Sequence, residues 1–261
     1  MKIIVPIKQI LDPSGVTVRR DKERIFINKE AYILEAGSKA AIEAALQVRD
    51  VDGGEHEIVA VSLGEPRADD ALREALAMGC DEAYLLTDEA FQDADISVTT
   101  AVLAAAIEKL GGADLVIAGQ ASADTGSGQV GARLAEALGY ACVTAVYELA
   151  QEAGGLQATR RWGTGYARVQ VSLPAVVTVA PEAFPPRYAH GARIMDAYRK
   201  WEVTIWDASD LELGTGALQP LLSFRRESFP APLEVGEKFQ GDPAEVARDV
   251  VTALRIQNLI A

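Results

Sequence analysis

The feature that most constrains this chain is the alternation, through its first half, of short apolar runs with stretches of helical periodicity. Ile3–Ile7 predicts a strand, and Gly37–Val48 a helix with Ser38 as its N-cap. Glu57–Leu63, Ala83–Leu86 and Ala113–Ala118 predict three further strands. Ala68–Met78, Asp95–Leu110 and Ser127–Leu138 predict the helices that follow them. Units of this kind bury their faces by right-handed crossovers, so the expected class is α/β, a Rossmann-like parallel sheet with helices on both faces. Between the first strand and first helix, Val16–Val18 and Ile25–Ile27 alternate like a hairpin.

The second half reads differently. Cys142–Leu149, Gln157–Trp162, Ala167–Val171 and Ala175–Val179 are β-rich, separated by Gly154-Gly155 and Gly163–Gly165. They predict an added β-hairpin and one more core strand. From Pro181 the chain reads as irregular, with Pro185-Pro186 forcing an extended path and Trp201–Trp206 an edge strand. Pro220–Gly241, with Pro230 and Pro232, reads as a C-terminal wrapping arm. Asp242-Pro243 then starts a helix to Leu254. Its narrow stripe of Val246, Val250, Val251 and Leu254 suits docking on another surface.

The stretch AGQASADTGSGQVG, Ala118 to Gly131, sits between the fourth strand and the fourth helix. A loop of small residues there exposes backbone N–H groups at a positive helix end, which suits a phosphate. An ordinary strand-to-helix turn of small residues is the alternative, and neither GxGxxG nor Walker A spacing is present. Ligands of parallel sheets bind beyond the carboxyl ends of the strands. Pro6–Lys8, Leu63-Gly64 and Ala118–Gln120 should therefore converge on one crevice. Asp124 suits a hydroxyl or metal ligand, and equally a plain Asx turn.

A net charge of −13 argues against a broad nucleic-acid surface. One basic cluster stands out: Arg187, Arg193, Arg199 and Lys200, with Arg225 and Arg226 further on. Cys80 and Cys142 are expected to be reduced core residues of a cytoplasmic protein. MKIIVPIKQ is too short an apolar run for a signal peptide, and no run approaches the roughly 20 residues of a membrane span. There are two histidines, His56 and His190, and no HExxH, GxSxG or SGGxDS pattern. The chain reads as a binding protein with no catalytic residues and no metal site.

Several segments together resemble the electron transfer flavoprotein β subunit. IIVPIKQILDP resembles that family's "VxVKxVPD" first strand, and EALAMGCDEAYLL its "AxAMGADxAxL" step. Gly128-Gln129-Val130-Gly131 is similar to its nucleotide loop. LPAVVTVAPEAFPPRYAHGARIMDAYRK resembles "LPAVxTVxxxxNxPRYxxxxxIMxAxKK", with Pro186-Arg187-Tyr188 and Ile194-Met195 in place.

The resemblance implies a heterodimer with an α subunit that carries a redox-active FAD. The β crevice would hold AMP in the simple branch, or a second FAD in the electron-bifurcating branch. GDPAEVARDVVTAL and Trp206–Leu211 resemble the bifurcating or nitrogen-fixation-linked branch, so FAD is expected here, with AMP the alternative. Cofactor contacts carry over to Pro6, Leu63, Ser122, Asp124, Thr125, Gly126, Ser127, Gly128, Gln129, Val130 and Gly131. Glu35-Ala36 replace the family's Asn-Pro, and the loop is one residue longer than its pattern. Residues 1–219 would be the nucleotide-binding domain, and 220–261 an arm and helix docking on the partner subunit. The family's recognition loop for a redox dehydrogenase or quinone oxidoreductase falls at Ala180–Lys200. Where relatives carry an anchoring leucine this chain has Ala189-His190-Gly191, so Phe184, Arg187, Tyr188, Gly191 and Arg193 are the expected recognition residues. No nucleic acid and no membrane insertion is expected. Other readings are a free-standing adenine-nucleotide sensor of universal-stress type, and an ATP-dependent ligase or pyrophosphatase.

Overall fold

A computed structural model describes residues 1–52, 56–152, 155–223, 228–229, 231 and 236–260. Gly154, Arg225, Arg226, Pro230 and Pro232, singled out above, lie outside these. The chain divides into two compact units, Met1–Phe224 and Arg225–Ala261.

In the first unit the strands are β1 (Lys2–Ile7), β2 (Gln9–Leu11), β3 (Val16–Arg19), β4 (Arg24–Ile27), β5 (Tyr32–Leu34), β6 (Glu57–Leu63) and β7 (Glu82–Leu86). They continue as β8 (Leu115–Gly119), β9 (Ala141–Glu152), β10 (Gly155–Trp162), β11 (Gly165–Val171), β12 (Ala175–Val179) and β13 (Thr204–Trp206). The helices are α1 (Ala36–Asp52), α2 (Asp69–Met78), α3 (Ile96–Lys109), α4 (Val130–Leu138) and α5 (Gly191–Arg199). Among the described residues the main sheet has nine strands in the order β11-β10-β9-β12-β8-β1-β6-β7-β13. From β9 to β13 every pairing is parallel; β10 and β11 extend β9 as antiparallel strands.

The strand periodicity of two divides the core. Ile3, Val5 and Ile7 of β1 pack with α1, α2 and Phe184 on one face. Ile4, Val59, Val61 and Val116 pack with α3 and α4 on the other. The expected fold class is therefore the observed one, with β3 and β4 forming the predicted hairpin.

Four sequence expectations need correction. α1 begins at Ala36, and the buried Glu35 carboxylate accepts the Ser38 N–H (2.8 Å) while the Ser38 hydroxyl accepts Lys8 N–H (3.0 Å). Ser38 is thus a bracket between α1 and the residue that follows β1, not the cap. α4 starts at Val130 rather than Ser127, because Gly126 and Gly128 both have φ of +62°, incompatible with a right-handed helix. Residues after Pro181 are not all irregular: α5 forms, with His190 Nδ1 accepting Ala192 N–H at its start. Cys142 is exposed on β9, whereas Cys80 is buried and its thiol is pushed up to about 12 by burial.

In the second unit, α6 (Pro243–Ile256) is capped by Asp242, which accepts Ala244 N–H at 2.9 Å. None of its residues is buried in this chain.

Candidate functional site

Strand order reverses between β1 and β8. From β1 the chain proceeds outward to β6 and β7, then returns to place β8 on the other flank of β1. The crevice beyond the carboxyl ends at such a switch point is where open parallel sheets take ligands. Pro6 lies on β1 paired with Val61, and Leu63 ends β6. Beyond β8, Gln120 N–H donates to Val179 O of β12 (3.0 Å), and the loop runs to Gln129.

The two sides of the switch point are tied by Lys8 Nζ and Asp124 Oδ2, 2.6 Å apart. Asp124 Oδ1 accepts Thr125 N–H (2.7 Å), the Ser122 and Thr125 hydroxyls meet at 2.9 Å, and Gly126 N–H donates to Ser122 O (2.8 Å). Burial pushes the Asp124 carboxyl up. Hydrogen bonds from Lys8 and Ser122, with the Lys8 charge, outweigh it and hold the group below the ordinary aspartate value. Asp124 is therefore an ionised brace for the loop.

The helix ends at this edge are not equivalent. The α1 start is closed by Glu35. The α3 start is closed by Asp95, whose Oδ1 accepts Ser97 and Val98 N–H (both 2.9 Å). Among the described residues no side chain caps α2 or α4. But α2 continues from a turn at Pro66–Ala68 and carries Asp69 and Asp70 in its first turn, whereas the start of α4 is preceded by the exposed residues Ser127, Gly128 and Gln129. An uncapped helix start leaves backbone donors and the positive dipole end available to an anion. Gln129 Oε1 accepts from Arg133 Nε (3.2 Å), and the Arg133 guanidinium also donates to Ser97 Oγ (3.3 Å), so a cation stands beside that helix start. Gly131 is a close contact between α4 and the sheet, beside the buried Leu134 and Ala135: a Cβ there would lie 2.2 Å from Thr178 Cγ2 of β12. Of the expected cofactor residues, the structure gathers Ser122 through Gly131 around this helix start, with Pro6 and Leu63 on neighbouring strands.

The residues expected for recognition separate into buried and exposed groups. Phe184 is 3% exposed and packs in the core. Arg187 is clamped: Nε and Nη2 donate to Glu43 (2.8 and 3.0 Å), its backbone N–H to Glu43 Oε2 (3.1 Å), and Nη2 to Asp50 (2.8 Å). Burial raises the Glu43 pKa, but hydrogen bonds from Arg187 and Gln47 outweigh it and hold the carboxyl below its usual range; the hydrogen bonds to Glu43 and Asp50 in turn raise Arg187. Arg193 is spent on helix-end carbonyls of α2. Tyr188 is fully exposed, and Gly191 opens α5, whose Ile194, Met195 and Tyr198 are 44%, 49% and 56% exposed. Sequence reasoning missed α5 and the Glu43 clamp. The spacing of Ile194, Ala197 and Tyr198, with Asp196 four residues before Lys200, was the available helical signal.

Among the described residues, no group of three or more His, Cys, Asp and Glu is arranged to hold a metal ion. His56 Nδ1 lies 2.9 Å from the Met1 amine, and His190 is a helix cap.

The sequence model of the electron transfer flavoprotein domain matches residues 24–211. Subunit CarD of the caffeyl-CoA reductase-Etf complex of Acetobacterium woodii is 37% identical over 265 residues, all of both chains. The electron transfer flavoprotein subunit beta of Thermoanaerobacterium thermosaccharolyticum is 36% identical over 263 residues, again all of both chains. Protein FixA of Azorhizobium caulinodans is 36% identical over 217 residues, covering 80% of this chain and 76% of its own.

Proposed function

The chain belongs to the electron transfer flavoprotein family, as a β subunit, and from that premise we propose how its surfaces serve the work of an electron-transfer subunit. A free-standing sensor of universal-stress type finds no support, since the likeness to β subunits runs the full length of the chain. We propose that the switch-point crevice holds the phosphates of an adenine nucleotide. The observation that carries this is the uncapped start of α4 behind Ser127–Gln129, where α1 and α3 are closed by their own carboxylates. The donor set fits a phosphate: backbone N–H groups at a positive helix end, no side chain at Gly128, and the hydroxyls of Ser122 and Thr125 on the braced loop.

The nucleotide we assign is FAD, with AMP as the alternative. FAD is favoured by the C-terminal resemblance to the bifurcating or nitrogen-fixation-linked branch. A bound flavin supplies one- and two-electron redox chemistry; the chain itself holds the phosphates and braces the loop. No side chain in the crevice is assigned acid–base work. In this reading the protein is cytoplasmic and pairs with an α subunit. Residues 220–261 dock on that subunit, and residues 180–200 meet a redox dehydrogenase or quinone oxidoreductase. Tyr188 and the exposed side of α5, rather than Phe184, Arg187 or Arg193, make the contact.

The test is the nucleotide released from the co-expressed, purified heterodimer. Two FAD per heterodimer support the assignment, and one FAD with one AMP supports the alternative. One FAD with no other adenine nucleotide overturns the site.

A further inference from the structure

α2 and α5 lie antiparallel, and each carries an arginine that closes the C-terminal end of the other. Arg73 of α2 donates through Nη1 to the carbonyls of Ala197 and Trp201, while its Nε is held by Asp69 Oδ2 at 2.6 Å. Arg193 of α5 donates to Leu76 O (2.8 Å) and Ala77 O (3.2 Å) of α2. The Arg193 guanidinium also lies 4.7 Å from the Trp201 ring centroid, and that of Arg73 5.5 Å from Tyr198. Last-turn carbonyls have no partner further along the helix and carry the negative end of its dipole. Leu76 O, which also accepts Gly79 N–H (3.1 Å), keeps a second lone pair for the cation. A guanidinium has several donors in a fixed fork, so one side chain can hold two carbonyls.

These contacts fix α5 along its axis and about it. Ala197 is turned fully inward, and Ile194, Met195 and Tyr198 remain outward. At the other end, the Arg187 clamp on Glu43 and the His190 cap hold the approach to the helix, so the exposed Tyr188 is flanked by fixed points. A nine-residue helix is marginal without such support. A binding surface that is ordered beforehand avoids the ordering cost at the moment of association.

We propose that Arg73 is a positioning residue for redox-partner docking: by holding the Ala197 and Trp201 carbonyls it presents Tyr188, Ile194 and Met195 as one preformed face to a flavoprotein dehydrogenase. This rests on the assignment of residues 180–200 as the docking segment. Arg73 itself touches no partner; it acts through the position of α5.

The experiment uses the intact heterodimer as wild type, Arg73→Ala, Arg73→Lys and Tyr188→Ala. Its partner is the flavin dehydrogenase that exchanges electrons fastest with wild type in a panel spanning several CoA-thioester substrates. Arg73→Ala is expected to raise the apparent KM for that partner roughly tenfold, as for the loss of about one charged hydrogen bond. The kcat, the flavin content and the rate of reduction by dithionite stay within about twofold of wild type, a split that general unfolding does not give. Arg73→Lys keeps the charge without the fork and falls between the two. Hydrogen exchange of the 192–199 amides quickens in step with KM. Unchanged KM in Arg73→Ala overturns the proposal, and so does unchanged exchange. If Arg73→Ala loses flavin, Arg73→Lys decides by the same KM criterion. Unchanged KM for the arginine variants beside a large rise for Tyr188→Ala overturns only the role of Arg73. No exchange by wild type with any member of the panel overturns the docking assignment, and this proposal with it.

Discussion

Gly131→Ala adds one methyl group where α4 crosses β12. The new Cβ would stand 2.2 Å from Thr178 Cγ2, against the 3.5–4.0 Å at which carbon atoms ordinarily rest. Thr178 is β-branched, 2% exposed and in the middle of a fully buried strand, so it has little freedom to turn away. Its Oγ1 accepts Ala145 N–H (3.1 Å), and a rotation that relieved the clash would break this bond. Overpacking of this kind costs about 1–3 kcal/mol, and the lost hydrogen bond about 1 kcal/mol more. The other escape is to lift the start of α4, which moves the proposed phosphate donors. Gly131→Ala should therefore lower the urea-unfolding stability of the heterodimer by about 2–3 kcal/mol and reduce its nucleotide content together with it. Thr178→Ser deletes Cγ2 and keeps the hydroxyl, so the double variant should recover more than half of both losses. Stability within about 0.5 kcal/mol of wild type for Gly131→Ala, or no recovery in the double variant, would refute the reasoning.

Glu43→Gln should destabilise by about 1–2 kcal/mol at neutral pH, less than for a fully buried pair because Arg187 is 38% exposed and keeps Asp50. Glu43 has a depressed folded-state pKa, so its contribution is present above the ordinary glutamate value and is lost as pH falls through the lower folded value. The gap between variant and wild type should close in acid, and a constant gap from pH 7 to pH 3 would contradict the assignment. Phe184→Ala should cost about 3–5 kcal/mol by leaving a cavity, measured by denaturant unfolding, with electron transfer per folded molecule unchanged. A normal unfolding midpoint with slowed transfer would return Phe184 to the recognition surface. Gly128→Val places a branched side chain at φ of +62°, and nucleotide content by chromatography should fall more steeply than stability; full nucleotide content would count against the loop as the site.

The parallel sheet was legible because its strands, buried on both faces, read as continuous apolar runs: Ala175–Val179 and Glu57–Leu63 match the predicted spans residue for residue. The proposed crevice rests on signals that are local too, the strand ends and a small-residue loop. What escaped were features made by contacts distant in sequence. Glu35 caps α1 while Ser38, the better cap by type, is drawn to the backbone of Lys8, just after β1. α5 is short and follows two prolines, and the arginines that secure it bond to carbonyls more than a hundred residues away. Arg187, Arg193 and Phe184 looked like a basic, aromatic recognition patch. Partners on α1 and α2 had taken the two arginines, and the core had taken the phenylalanine.

The most direct measurement of the central claim is the electron density of the purified heterodimer at the end of β8. The account predicts adenine-nucleotide phosphates within hydrogen-bond distance of the backbone N–H groups of residues 128–131, at the uncapped start of α4. A nucleotide seated elsewhere on this subunit, or none in the crevice with this helix start covered by the α subunit, would contradict it.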